Sequence, residues 1–438
     1  MIRISLKGLS VPVFSFFFIC GGSVAAQQRQ ITTLDELWHA ADSSSLAIAA
    51  CQKSVEAAAS QLSAARAALL PDVAVSATVG YLGNGYGWGR DSNYSFSVHI
   101  PHFSTQLGLN ASQIIYAGGR MRAAIDIANQ SRLMSTERLR QVRQDVHFQL
   151  AGYYLDLYRM TRQTEVYEQN ILLAERMIED IRARQEQGTA LRNDMMRYEL
   201  QLSELRLQQT TLANNIRITS RHIASLAGLE ENTEIVPDSA SLSAYETDVS
   251  IAPSVSRTPR LKIAEIATAI SQAETRIAHS ALMPTVTLLA QDNLNGPVTI
   301  DIQPYDINYN FWYVGVGLHY DIASLYKRRQ QVKASQALEE QRQHEQEQIR
   351  REVSDAIEDA AIRLAESQEA SRIRERNMDL ASLNYTVIAN QYKNGLALLT
   401  DMLDASTTKL TAELDMVSVR IAIIYNLMTL DYLQGRLQ

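Results

Sequence analysis

Gly188-Thr189-Ala190-Leu191-Arg192-Asn193-Asp194-Met195 and Gly395-Leu396-Ala397-Leu398-Leu399-Thr400-Asp401-Met402 write one pattern twice, Gly-x-Ala-x-x-x-Asp-Met, 207 residues apart. Ahead of the first glycine, residues 120–187 hold no proline and one other glycine; ahead of the second, residues 327–394 hold neither. Each 68-residue segment can run as a single helix of about 100 Å, at about 1.5 Å per residue. Glycine takes positive φ without steric penalty, which lets it close a helix C-terminus, and a returning helical segment follows both times. The sequence thus predicts two antiparallel helical hairpins, longer than any compact domain needs.

The repeat extends upstream. Ala67-Ala68-Leu69-Leu70-Pro71-Asp72-Val73-Ala74-Val75 matches Ser280-Ala281-Leu282-Met283-Pro284-Thr285-Val286-Thr287-Leu288 at an offset of 213. A heptad-spaced stripe precedes each proline, Ala50, Ala57 and Ala64 in one half and Ile263, Ile270 and Ile277 in the other. A unit of about 200 residues is too long for a solenoid and reads as a duplicated subdomain. The expected division is a leader at 1–26, a first repeat at 27–228, an acidic, proline-bearing connector at 229–258 and a second repeat at 259–438.

Past each proline the period changes to two. Val73, Val75, Ala77, Val79 and Tyr81 alternate with smaller or polar residues, as do Leu107, Leu109 and Ala111. Val286 and Leu288 begin a third strand, and Trp312, Val314, Val316, Leu318 and Tyr320 line a fourth. Residues 83–89 and 293–310, between the partners, read as loops. In the first long helix Leu139, Val142, Val146, Leu150, Tyr153, Leu157 and Met160 step by threes and fours, the narrow seam of coiled-coil packing. Residues 339–348 contain no apolar side chain, as in a solvated bundle or a single-layer wall with water on both sides.

The ends and the composition set the class. Of 438 residues 46% are hydrophobic and only 19 are glycine and 9 proline, which excludes collagen-like and low-complexity chains. Forty-one basic against forty-eight acidic residues give a net charge of -7, which argues against a nucleic-acid partner. Arg3 and Lys7, an apolar run over 11–20 and Val24-Ala25-Ala26 have the layout of a cleaved secretory signal; Cys20 offers a lipid-anchored alternative, although Ile19 stands where a small residue is usual. Cleavage leaves Cys51 alone, so no disulfide staples the fold. With no later stretch of about 18 consecutive apolar residues, no transmembrane helix is expected, and a membrane can be crossed only by strands closed into a barrel. Four strands cannot close one. Two copies give about eight strands, whose side chains nearly fill the interior, and three give about twelve with a lumen. Phe311-Trp312-Tyr313 and Tyr86 with Trp88 suit interfacial girdles or ordinary packing.

Thr33-Leu34-Asp35-Glu36-Leu37-Trp38, the Leu69-Leu70-Pro71 helix end, Tyr116-Ala117-Gly118-Gly119-Arg120 and both glycine turns together resemble the landmarks of the TolC-like outer-membrane efflux proteins, in order and spacing. The resemblance implies an α/β membrane channel. In it a homotrimer with four strands per chain completes a transmembrane β-barrel, continued by an antiparallel coiled-coil tunnel through the periplasm toward an adaptor protein and an inner-membrane pump. The function so implied is a passive exit duct for efflux; a non-conducting periplasmic scaffold or adhesin is the rival. One departure is residues 320–327, where the second half lacks the Gly-Gly pair.

The turns, with Gly188, Ala190, Asp194, Gly395 and Ala397, lie furthest from the barrel and are expected to meet the adaptor. The alternation places Trp312, Val314, Val316 and Leu318 toward lipid. The resemblance also implies a pore constriction at Asp401 and Asp404, with Tyr392 ahead of the turn. Asp401 equally suits a helix start, since Asp194 holds the same place in the first hairpin, whereas the counterpart of Asp404 is Arg197. No catalytic motif stands out: the eight histidines are scattered, the closest pair is His99-x-x-His102, and the glycine run at 83–89 precedes no helix. Neither an enzyme, a cofactor nor a metal is expected.

Overall fold

The computed structural model describes residues 29–91, 93–230, 233–238, 242, 258–298 and 306–437; the expected leader, Cys20 included, lies outside the described residues. In chain order the elements are β1 (Arg29–Thr32), α1 (Leu34–Ser44), α2 (Leu46–Ala67), β2 (Asp72–Tyr81), β3 (Gly85–Trp88), β4 (Ser95–Val98), β5 (Phe103–Ala117), α3 (Arg120–Glu186), α4 (Arg192–Ala227), β6 (Glu234–Pro237), α5 (Pro259–Ser280), β7 (Thr285–Gly296), β8 (Tyr309–His319), α6 (Ser324–Lys327), α7 (Arg329–Lys393) and α8 (Leu399–Leu433). At 67 and 65 residues, α3 and α7 are the two long helices the sequence predicts.

The main sheet is antiparallel with the order β2-β5-β7-β8. The helices keep the same order: α3 lies between α2 and α5, and α5 between α3 and α7. Further from the sheet, α4 packs on α3, and α8 fills the place between α3 and α7. Strand and helix layers are therefore one continuous wall in which β5 runs into α3 and β8 leads to α7. Two expected loops are shorter than the sequence suggests. Gly85–Trp88 pairs with Ser95–Val98 in a small hairpin, and strand pairing continues to Gly296 and resumes at Tyr309. Glycine and asparagine in these stretches mask the period-two pattern.

The two heptad-spaced stripes differ in their surroundings. Ala50, Ala57 and Ala64 are exposed, and α2 instead buries Ile48, Ala58 and Leu62 against α3. As an edge helix α2 has one neighbour in the wall, whereas α5 has two and half-buries Ile263, Ile270 and Ile277.

At mid-height the wall thickens. Val146, Leu150 and Leu157 pack into a core with Leu37, Trp38 and Ala41 of α1, Ile223 of α4, Ile235 of β6 and Ile424 and Met428 of α8. The predicted seam is thus the floor of a second layer, not only a helix-helix contact. Within the stretch 229–258, β6 pairs parallel with β1 and joins that layer. Tyr154 Oη donates to Thr32 O at 3.0 Å and accepts the Asp238 N–H at 2.9 Å, tying both strands to α3. One 18-residue window of α8 reaches a mean hydropathy of 1.3 by length and composition, although it holds no run of 18 consecutive apolar residues. Its Ile421, Ile424, Leu427, Met428 and Leu430 are buried against protein, which accounts for part of the hydropathy.

His147 sits in this core, stacked on Trp38, with Nε2 3.2 Å from Asp42 Oδ1; Arg143 Nε lies 3.0 Å from the same oxygen. Burial pushes the imidazole below its ordinary value of about 6.5, and Asp42 opposes this only partly. The unfolded chain therefore takes up this proton first, so the stability is complete above about pH 6.5 and is lost as pH falls below it. Thermal unfolding is expected to show a lower midpoint at pH 5.5 than at 7.5, and His147→Gln should flatten that difference.

Candidate functional site: a two-faced sheet and two hairpin tips

Residues directly opposite in an antiparallel pair share a face. By that rule Trp312, Val314, Val316 and Leu318 of β8 stand with Asp292, Ala290, Leu288 and Val286 of β7. Asp292 and Ala290 stand with Leu109 and Ala111 of β5, and these with Val75 and Val73 of β2. One face is therefore apolar across all four strands but for Asp292 and for Gln113, which stands opposite Leu288. The other carries Ser76 and Thr78, Gln106 and Asn110, Gln291 and Asn293. The aromatic cluster at 311–313 is split by this alternation: Trp312 is on the apolar face, Phe311 and Tyr313 on the polar one. Tyr86 and Trp88 lie on the β3–β4 hairpin, opposite Ser97 and Ser95, outside the main sheet.

Asp292 interrupts the apolar face, where Asn310 Nδ2 donates to its Oδ1 at 2.7 Å. Asn310 stands ten residues from Tyr320, which a strand tilted by about 40° converts to a height of about 25 Å, matching the apolar band of outer-membrane barrels. His102 Nδ1 lies 2.7 Å from Leu82 O and the ring stacks on Tyr81. Among the described residues no three His, Cys, Asp or Glu side chains gather as metal ligands.

At the opposite end the two turns are built alike. Gly188 and Gly395 both have φ of +75°, and Thr189 N–H and Leu396 N–H each donate back over the helix end, to Arg184 O and Gln391 O at 2.8 Å. A Cβ at either glycine would meet nothing within 4 Å, so backbone conformation alone demands glycine. Asp194 Oδ2 accepts the Leu191 N–H at 3.3 Å and Asp401 Oδ2 the Leu398 N–H at 3.0 Å. Both aspartates start their helices. Asp404, one turn on, is exposed and has no hydrogen bond or ion pair among the described residues.

Tyr392 is buried where the hairpins meet, with Met177, Ile178, Ile181, Tyr198, Leu399 and Met402; Ala190 and Ala397 lie at the margin. Burial pushes the Tyr392 phenol up, against the pull of Arg184. Arg184 donates from Nη1 to Tyr392 O at 3.1 Å, which also accepts the Gly395 N–H, and from Nη2 to Lys393 O at 2.7 Å, a cation on the last carbonyls of α7. It lies 5.2 Å over the Tyr392 ring. Arg184 and Tyr198 carry no repeat signal, since Gln391 and Ala405 occupy the equivalent places. Leu191, Leu396 and Leu398 leave the turns 71%, 78% and 70% exposed.

The sequence profile of the outer membrane efflux protein family matches residues 37–229 and 253–436. The chain belongs to that family. The pyoverdine export outer membrane protein OpmQ of Pseudomonas putida is 24% identical over 392 residues, which cover 87% of this chain and 81% of OpmQ. The outer membrane protein VceC of Vibrio cholerae superposes with a TM-score of 0.77 at 15% identity, covering 92% of this chain and 96% of VceC. The MtrE outer membrane channel of Neisseria gonorrhoeae gives 0.73 at 16% identity, over 92% and 88% of the two chains. The family is one of outer membrane efflux proteins, and MtrE is an outer membrane channel. This efflux protein is the outer-membrane exit duct of a tripartite efflux system, with its helical tunnel in the periplasm. The two-faced sheet is the barrel part of that duct.

Proposed function

We propose that three copies assemble around one axis, each giving four strands to a twelve-stranded barrel with the polar face inside and Trp312, Val314, Val316 and Leu318 against lipid. The two faces of the sheet carry this reading: two copies would fill the interior with side chains, whereas the polar lining asks for a wet lumen. The unpaired outer edges of β2 and β8 support it. So do heptad-spaced, exposed Leu200 and Leu207 on α4 and Ile373 and Leu380 on α7, the two edges of the helical wall. Two repeats, 27–228 and 259–438, joined through 229–258, would then place six similar units around the axis.

The tips, Gly188, Ala190, Asp194, Gly395 and Ala397 among them, meet a periplasmic adaptor that hands over cargo from an inner-membrane pump; the exposed leucines suit that contact. Tyr392 and the Asp404 carboxylate form the constriction, with Asp401 beside them holding the start of α8. The duct does no chemistry of its own. Detergent-stable trimers that conduct ions in a planar bilayer test the reading, and trimers without conductance would favour the scaffold or adhesin.

Valine at φ of +75° is strained by about 1–2 kcal/mol at each turn. Gly188→Val with Gly395→Val should abolish export while trimers persist, measured as drug or dye retention alongside the trimer band. Normal export, or adaptor crosslinks found only at the barrel end, would reverse the assignment of the tips.

A further inference from the structure

The junction below β8 is where the second repeat departs from the first. β5 passes into α3 through Gly118 and Gly119, at φ of +60° and +86°. After β8, residues 320–328 take their place and fold into the single turn α6. Ile322, Leu325 and Tyr326 are spaced i, i+3, i+4 and so share a face; they are 68%, 48% and 69% exposed. On the other side Ser324 is buried, and Asp321 and Arg328 line a cleft with Thr285 and His319, which belong to the polar face of the sheet. The apolar face of α6 thus points away from the lumen side and continues the apolar face that ends at Leu318. Arg329 follows one turn after Tyr326 and Lys327 lies beside it, both exposed and neither in an ion pair among the described residues. The neighbouring junctions also expose apolar side chains, Leu69 and Leu70 ahead of β2 and Ile115 and Tyr116 at the end of β5.

We propose that α6 is a membrane-interface anchor. Ile322, Leu325 and Tyr326 enter the boundary between headgroups and acyl chains of the periplasmic leaflet, and Lys327 and Arg329 hold the phosphates of anionic phospholipids there. The inference rests on the reading that the apolar sheet face meets lipid. An apolar stripe flanked by cations is the pattern of interfacial binding, and a tyrosine keeps its ring in the boundary with its hydroxyl wet. Charge selects lipid over a second copy. The α2–β2 junction of a neighbour pairing at β8 exposes Leu69 and Leu70 but carries Arg66, which offers Lys327 and Arg329 no counter-charge, and its Asp72 stands on the polar face.

The test uses nitroxide labels on single cysteines in a Cys51→Ser background: Val316→Cys, Ile322→Cys, Tyr326→Cys and Glu340→Cys. The full assembly is reconstituted in phosphatidylethanolamine with phosphatidylglycerol, and collision with oxygen is compared with collision with a water-soluble nickel chelate. Labels at 316, 322 and 326 should favour oxygen and the label at 340 the chelate. Water-like behaviour at 322 and 326 with a lipid-like 316 overturns the anchor alone. Shielding of 322 and 326 from both reagents means that protein covers them and also overturns it. A water-like 316 overturns the lipid-face reading beneath it. The paired Lys327→Gln and Arg329→Gln variant should lose the preference for spin-labelled phosphatidylglycerol over phosphatidylcholine, and an unchanged preference removes the phosphate role.

Discussion

Val316→Arg should leave the protein unable to take its place in the outer membrane. Val316 lies on the apolar face beside Leu288 and four residues above Tyr320, which puts it about 10 Å into an apolar band of about 25 Å. A guanidinium so near the midplane costs about 2–4 kcal/mol, and three copies together about 6–12 kcal/mol. Snorkelling does not rescue it, because the nearer interface is the full length of an arginine side chain away. Gln291→Arg is the matched control, since Gln291 pairs with Tyr313 on the polar face of the same sheet. The measurement is the trimer band in the outer-membrane fraction. Normal insertion of Val316→Arg, or equal loss from Gln291→Arg, would show the faces assigned the wrong way round.

The hairpins and the four strands were readable because their signals are local. A glycine forced to positive φ, a proline ahead of each strand pair and a change of period from helical to two each act over a few residues. What lay beyond reach was long-range. The stripe from Leu139 to Met160 marks a buried face, but periodicity along one helix does not tell which elements cover it, so α1, β1 and β6 went unseen as its lid. The fate of the two recurring stripes was hidden for the same reason, because an edge helix and an interior helix with one repeat in common have different neighbours. Arg184 was invisible because its partners are backbone carbonyls of another helix, 208 and 209 residues away. Part of the high hydropathy of α8 reflects burial against α3 and α7.

At the proposed constriction, sequence and geometry divide two neighbouring acids. Asp401 accepts the Leu398 N–H, as Asp194 accepts the Leu191 N–H, so Asp401→Ala should cost about 1 kcal/mol at the start of α8 and alter conduction little. Asp404 has no such duty. Its counterpart is Arg197, and its exposed carboxylate belongs to a polar stripe with Thr408 up one side of α8, away from Leu399, Met402 and Ala405, which pack inward. Three-fold symmetry would gather three Asp404 carboxylates near the axis, where mutual repulsion and the narrow, low-dielectric surroundings favour a bound multivalent cation. Asp404→Ala is therefore expected to raise the half-blocking concentration of a trivalent cation at least about tenfold, on the order of 1.4 kcal/mol. It should also weaken the preference for potassium over chloride, both read from single-channel currents in a planar bilayer. Relief of block by Asp401→Ala as large as by Asp404→Ala would restore both acids to the constriction. Unchanged block in the Asp404→Ala channel would leave them as residues of a helix start and move the narrowest point elsewhere along the tips.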